Sequence, residues 1–201
     1  FDAYQYLGAH PTEQGVTFRT FAPGASRIAL IGEFNGWQEW TMNRIYDGNF
    51  WEYYAENAKA GEMYKYRIYR RDGQCRDHCD PYGYGMELRP HTASFIRDMN
   101  RYEFADEAWL QSRSDCKSKP LNIYELHMGS FRKPSGEADA WYNYAEMGEI
   151  LIPYLKEKGY NYLEVMPLNE YPSDESWGYQ GTGFFSPTSR YGTADQLKAF
   201  V

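Results

Sequence analysis

Three dipeptides, Asn35-Gly36, Asp47-Gly48 and Asp72-Gly73, cut the first hundred residues into segments too short for ordinary helices. Each pair puts glycine where a tight turn needs a positive φ, so each reads as the turn of a β-hairpin. The segments between them agree. Residues 16–21 alternate apolar and polar with period two and stop at Ala22-Pro23-Gly24. Residues 28–31 are a short apolar run of the kind buried on both faces, and residues 51–55 and 63–69 are aromatic-rich strands. Several short strands between regular turns predict an immunoglobulin-like β-sandwich over residues 1–100.

The pattern changes after Lys119-Pro120. Residues 101–119 read as a bridge, with a short helix near 105–111. Residues 121–127 look like a strand, followed by a loop through Gly129 and Gly136. From Ala140 to Lys158, Tyr144, Met147, Ile150, Leu151, Tyr154 and Leu155 recur at helical spacing, and Gly159 supplies a C-cap. Pro153 conflicts with that helix and should kink it or remove a bond. Residues 162–166 form a second strand, closed by Pro167. Strand, helix, strand implies a parallel pair with a crossover, so residues 120–201 read as βα units. Thr193 and Gln196 form a capping box for a helix that has barely begun at Val201, and on this ground the chain is read as a fragment.

Composition excludes several classes of function. Aromatic residues make up 18% of the chain, unlike a disordered segment. A net charge of −7 with no basic stripe argues against a nucleic-acid partner. No apolar stretch approaches the ~18 residues of a membrane span, so no membrane partner is expected. The start, Phe1-Asp2-Ala3-Tyr4, lacks the charged and apolar regions of a signal peptide. Cys75, Cys79 and Cys116 form no even-numbered framework and lack zinc-knuckle spacing. A reducing, cytoplasmic setting follows, with no metal and no cofactor.

Eight short segments in order resemble the N-terminal portion of the 1,4-α-glucan (glycogen) branching enzymes of the α-amylase superfamily. They are Tyr6-Leu7-Gly8-Ala9-His10-Pro11, Gly32-Glu33-Phe34-Asn35-Gly36-Trp37, Tyr64-Lys65-Tyr66, Asp80-Pro81-Tyr82-Gly83, residues 87–94, residues 123–130, residues 166–170, and Ser176-Trp177-Gly178-Tyr179-Gln180. The resemblance implies a family 48 carbohydrate-binding-type sandwich followed by the incomplete start of a (β/α)8 TIM barrel. It implies cleavage of an α-1,4-glucan and transfer of the chain into an α-1,6 branch, by a retaining mechanism. Relatives with the same two-part layout, such as isoamylase, pullulanase and trehalohydrolase-type enzymes, usually carry Asp after Trp-Gly-Tyr; Gln180 is the branching-enzyme version, and Gly181 replaces a frequent Pro.

Retaining transfer needs two carboxyl groups ~5–5.5 Å apart at the ends of barrel strands. The strand-end acids here are Glu125, Glu164, Glu170, Asp174 and Glu175, each also readable as a solvated or hydrogen-bonded loop charge. In the family the reacting pair comes from later strands, so no catalytic residue is assigned and the chain alone should be inactive. Sugar contact is another matter, because pyranose rings offer apolar faces to aromatic planes. By resemblance Tyr179 stacks under the sugar beside the cleaved bond, with Trp177 and Gln180 flanking it. Trp37 and Lys65 match a stacking Trp and a hydroxyl-binding Lys of glycogen-binding relatives, although each also reads as packing or solvated charge. A second stacking Trp is missing from residues 72–76. His127 reads as a hydrogen-bonded strand residue. The expected partner is α-glucan, with a non-catalytic glucan-binding module as the alternative and a truncated assembly partner, pairing through its exposed strand edge, as a third reading.

Overall fold

The computed structural model describes residues 2–113, 118–136 and 140–201. Cys116 and part of the bridge before residue 120 lie outside the described residues. The chain divides into two compact units, Phe1–Met99 with Asn169–Ser189, and Asn100–Leu168 with Arg190–Val201.

The first unit is a sandwich of two antiparallel sheets. After one helical turn, α1 (Ala3–Tyr6), come β1 (Gly8–Thr12), β2 (Gly15–Phe21), β3 (Ala25–Gly32), β4 (Trp40–Thr41), β5 (Asn43–Ile45), β6 (Phe50–Ala55), β7 (Met63–Arg70), β8 (Cys75–His78) and β9 (Ser94–Phe95). One sheet has the order β1-β2-β6-β5; the other runs β4-β3-β7-β8, with β9 also on β7. The period-two reading of β2 holds, since Val16, Phe18 and Thr20 are buried while Phe21 is exposed. Phe18, Ile28, Leu30, Trp51, Tyr64 and Tyr66 fill the space between the sheets. Burying one such side chain contributes ~1.5–3 kcal/mol, so this shared core holds the two sheets together.

The turn glycines take the predicted positive φ, at +61° for Gly36, +80° for Gly48 and +82° for Gly73. Hairpins form at two of the three sites, β5–β6 around Gly48 and β7–β8 around Gly73, but not at Gly36. Asn35 instead ends a 3-10 turn (Glu33–Asn35) and turns its side chain inward, accepting from Gly32 N at 2.9 Å and donating to the Leu30 carbonyl at 3.2 Å. At the other two sites the strands stop early: Gly48 N and Gly73 N donate to carbonyls of Ile45 and Arg70, closing longer loops. Strand β8 was not expected, because all of its residues are exposed and no apolar alternation marks it.

The apolar run in β3 is buried on both faces by two different means. Ile28 and Leu30 enter the core, while Ala29 and Ile31 face outward opposite Arg67 and Lys65 of β7. Long polar side chains cover that outer face. Glu39 accepts from Arg27 Nη2 at 2.6 Å, Arg67 Nη1 at 3.1 Å and the Tyr69 hydroxyl at 2.5 Å, while Arg67 also grips Asp77 in bidentate fashion. The hydrogen bond from Tyr69, with those from Arg67 and Arg27, outweighs partial burial and holds the Glu39 carboxyl down to about 2. A depressed carboxylate stabilises the fold fully above its unfolded value near 4.5 and loses that contribution as pH falls through about 2. Glu39→Gln should therefore lower stability at pH 7 by about 1 kcal/mol, because the group is partly exposed. The deficit should vanish by about pH 2; thermal melts across that range check it, and a pH-independent deficit would contradict it.

In the second unit, α2 (Glu107–Ser112) lies close to the expected helix, shifted toward the C-terminus. Strands β10 (Ile123–Leu126) and β11 (Tyr162–Val165) pair in parallel, as predicted. Between them lie one turn, α3 (Met128–Phe131), and the crossover helix α4 (Tyr144–Lys158). Helix α4 starts later than Ala140 because Asn143 takes the N-cap, accepting from Glu146 N at 3.0 Å while Glu146 reaches back to Asn143 N at 2.9 Å. The helix continues through Pro153, which lacks the donor that Glu149 would otherwise receive. Glu149 is exposed, so water can take that place. Tyr144, Met147 and Leu151 pack with Leu126 and Met128. The final helix, α5 (Ala194–Phe200), is capped by Thr193 and Gln196 as read from sequence. Phe200 leans on α4 at Gly148, where a Cβ would come within 3.2 Å of its ring.

Candidate functional site

Between β12 (Asn169–Glu170) and β13 (Gly183–Pro187), an antiparallel pair that sequence reading did not resolve, the chain makes one tight excursion. A 3-10 turn (Asp174–Ser176) begins it. Trp177 N donates to the Asp174 carbonyl at 3.1 Å and Tyr179 N to the Ser176 carbonyl at 3.0 Å, so two successive turns throw both rings outward. Trp177 is 55% exposed and Tyr179 67%, with Gln180 exposed beside them and Gly178 buried beneath, at φ +89°. Three of the predicted residues thus share one loop tip.

The base of the loop is polar and closed. Glu170, 3% exposed, accepts from Thr188 Oγ1 at 3.0 Å, Ser189 N at 2.7 Å, Ser189 Oγ at 2.5 Å and Tyr171 N at 3.1 Å. These bonds fit its reading as a hydrogen-bonded strand-end carboxylate. Asp174 forms an ion pair with Arg89. Glu125 and Glu164 sit opposite each other on the exposed face of the parallel pair, and Glu175 is exposed.

Trp37 and Lys65 lie at the Gly32 end of the five-stranded sheet. Trp37 N donates to the Gly32 carbonyl at 2.7 Å, its ring is 39% exposed, and Lys65 stands opposite Ile31 with Nζ 3.0 Å from Thr92 Oγ1. Among the described residues, positive φ outside glycine occurs at Trp37 (+61°), Tyr46 (+53°) and Trp177 (+54°). A bulky residue in this region is strained by ~1–3 kcal/mol, and such strain concentrates at functional positions. Two of the three are tryptophans already singled out by sequence.

His127 follows β10, with Nδ1 2.8 Å from Ser130 Oγ. Burial, helped by the nearby Arg190, pushes its pKa below the ordinary imidazole value. It is thus favoured as a neutral, hydrogen-bonded ring. Among the described residues no group of three or more His, Cys, Asp or Glu side chains is placed to hold a metal ion. Among the described residues no helix is long and apolar enough to cross a membrane.

Residues 6–83 match the family Carbohydrate-binding module 48 (Isoamylase N-terminal domain), a span that contains Trp37, Lys65 and the core of the sandwich. Along 99% of its length the chain is 44% identical to the 1,4-alpha-glucan branching enzyme GlgB of Fusobacterium nucleatum subsp. nucleatum, and equally so to that of Dechloromonas aromatica. The chain is a homologue of the branching enzymes. It spans about a third of the length of these relatives, 33% and 32% respectively. A solved pullulanase from Anoxybacillus sp. LM18-11, complexed with maltotetraose, superposes with a TM-score of 0.75 at 20% identity, covering the whole chain and 34% of the pullulanase, which supports the fold.

For a branching-enzyme homologue, sequence reading located the rings of the loop but missed what supports them. Arg89 and Asp174 are 85 positions apart, and Glu170 and Ser189 are 19 apart. No local pattern links such residues. The one available signal was a short acid-and-hydroxyl content around a Gly-rich aromatic stretch, too general to name partners.

Proposed function

We propose that this chain is the glucan-contacting portion of a branching enzyme that cleaves an α-1,4-glucan and transfers the chain to a 6-hydroxyl with retention. Tyr179 and Trp177 supply apolar planes for pyranose faces, and Gln180 supplies amide hydrogen bonds to hydroxyls. Trp37 and Lys65 form a separate contact on the sandwich. The reacting carboxylates come from outside these 201 residues, so the chain by itself binds glucan without turnover. The parallel β10–β11 pair with its crossover helix is read as the first step of a (β/α)8 barrel, with a sandwich over 1–100, a bridge over 101–119 and barrel units over 120–201. A cytoplasmic setting, and a strand edge available for pairing with another chain, belong to the same reading.

The observation that carries this proposal is that Trp37 and Trp177 are both exposed and both held on left-handed backbone. Strained backbone of this kind concentrates at functional positions, and a half-exposed ring held there offers its face to a sugar that stacks on it. The alternative, a non-catalytic glucan-binding module, rests on Trp37 and Lys65 alone.

Two measurements test the reading. An iodine–amylose branching assay on the chain should show no activity. Titration with maltoheptaose, followed by tryptophan fluorescence, should show binding that Tyr179→Ala weakens about fivefold, the worth of one ring contact near 1 kcal/mol. Trp177→Gly should weaken binding similarly yet leave the melting temperature near the parent value, since glycine relieves the left-handed strain. Unchanged affinity in both variants would refute the loop assignment. Loss confined to Trp37→Ala would favour the binding-module alternative.

A further inference from the structure

We propose that the sandwich itself positions the Trp177–Gln180 tip, through one short run of residues, 82–89, that grips the loop on both flanks. This rests on the glucan-contact reading of the tip, but the grip can be tested separately. The loop segment Asn169–Ser189 belongs to the same compact unit as the sandwich. On the leading flank, Arg89 pairs with Asp174, the residue whose carbonyl receives Trp177 N. On the trailing flank, the Phe185 ring stacks on Tyr82 with centroids 5.0 Å apart and planes at 24°. Tyr4 flanks the same ring at 6.0 Å and is itself fixed by the Tyr84 hydroxyl, which donates to the Tyr4 carbonyl at 2.9 Å. Between these holds, the sulfur of the buried Met86 occupies the space that a Cβ on Gly183 would need.

Both rings of the tip are more than half exposed, Trp177 at 55% and Tyr179 at 67%. The direction of the rings therefore follows the backbone, and the backbone is clamped before and after the turn by side chains of the sandwich. Ordering the loop in advance reduces the entropy lost when a sugar binds. Arg89 and Tyr82 are accordingly positioning residues: they act on the ligand through Asp174 and Phe185 and need not touch it. The carbohydrate-binding-type domain thus has a role in the site that does not depend on its own Trp37.

Amide exchange and maltoheptaose titration on the 201-residue chain test this together. Arg89→Gln and Tyr82→Leu should each raise exchange at residues 174–181 by about fivefold, the effect of losing one partly exposed contact. Arg89→Lys and Tyr82→Phe should restore most of the protection, because charge and ring are kept. Affinity should fall with the lost protection and return with it. Combining Arg89→Gln with Asp174→Asn should add little to either single change, since both remove the same pair. Unchanged exchange at 174–181, or fully additive effects of the two charge removals, would overturn the proposal. If exchange responds while Tyr179→Ala leaves affinity untouched, the grip stands and the glucan reading of the tip fails instead.

Discussion

Asp80→Ala should unfold the sandwich at temperatures the parent chain tolerates. Asp80 is fully buried, and its Oδ2 accepts from the Tyr64 hydroxyl at 2.6 Å and the Tyr66 hydroxyl at 3.1 Å, while Oδ1 accepts from Tyr82 N at 2.8 Å. Alanine leaves three donors without this acceptor, two of them hydroxyls in the buried core and one a part-buried amide. At ~1–3 kcal/mol for each unmet donor, the loss is about 4 kcal/mol, a large part of the ~5–15 kcal/mol that holds a domain together. The melting temperature should fall by about 20 °C.

Asp80→Asn should behave very differently. The amide oxygen can still accept from Tyr82 N, and the two tyrosine hydroxyls can rotate to accept from the new NH2. Burial raises the Asp80 pKa above its ordinary 3.8, so the charged form is the disfavoured one in the folded state. A raised carboxyl contributes most below its unfolded value, and that contribution is lost as pH rises through the folded value. The Asn variant should therefore gain on the parent as pH rises from below 3.8 toward neutrality. Melts of the three proteins at several pH values check this. An Ala variant as stable as the Asn variant would show that the three donors find other acceptors.

Glu170→Ala should release the base of the aromatic loop without unfolding the sandwich core. The carboxylate joins two backbone donors, Tyr171 N and Ser189 N, to two hydroxyls, on Thr188 and Ser189. Losing it costs about 3 kcal/mol, spent chiefly on local opening of residues 170–189. Here the amide is a poor substitute. The two backbone donors approach different oxygens, so whichever way Glu170→Gln is turned, its NH2 group meets a fixed N–H. Gln should thus retain only part of the lost stability, in contrast to Asn at position 80. Amide exchange at Thr182, whose N donates to the Glu170 carbonyl at 2.8 Å, reports the opening directly. Full protection in the Gln variant would contradict the argument.

Much of the architecture was legible because its signals are local. The alternation of residues 16–21, the positive-φ glycines, the cap at Thr193 and the stop at Gly159 all act within a few residues of themselves. Where the reading slipped, a neighbouring group competed for the same backbone. Asn35 turned inward to serve the Gly32 and Leu30 backbone and so lengthened a turn that its dipeptide suggested was tight. Asn143 captured the helix start from Ala140 because its side chain meets an orphan amide and alanine's cannot. Strand β8 escaped notice because pairing with β7, not burial, makes it a strand.

Sequence by itself determined the strand and helix repertoire, the kinship with branching enzymes and the aromatic residues worth naming, since these depend on residue type and close spacing. Tertiary structure alone decided that Trp37 and Trp177 stand exposed on strained backbone, that Glu170 and Asp80 are buried acceptors, and that residues 82–89 grip the loop carrying Tyr179. Those facts depend on side chains brought together from positions up to 103 apart, as with Tyr82 and Phe185. The physical reason is that hydrogen-bond pairing, desolvation and ring stacking act over a few ångströms of space, whatever the distance along the chain.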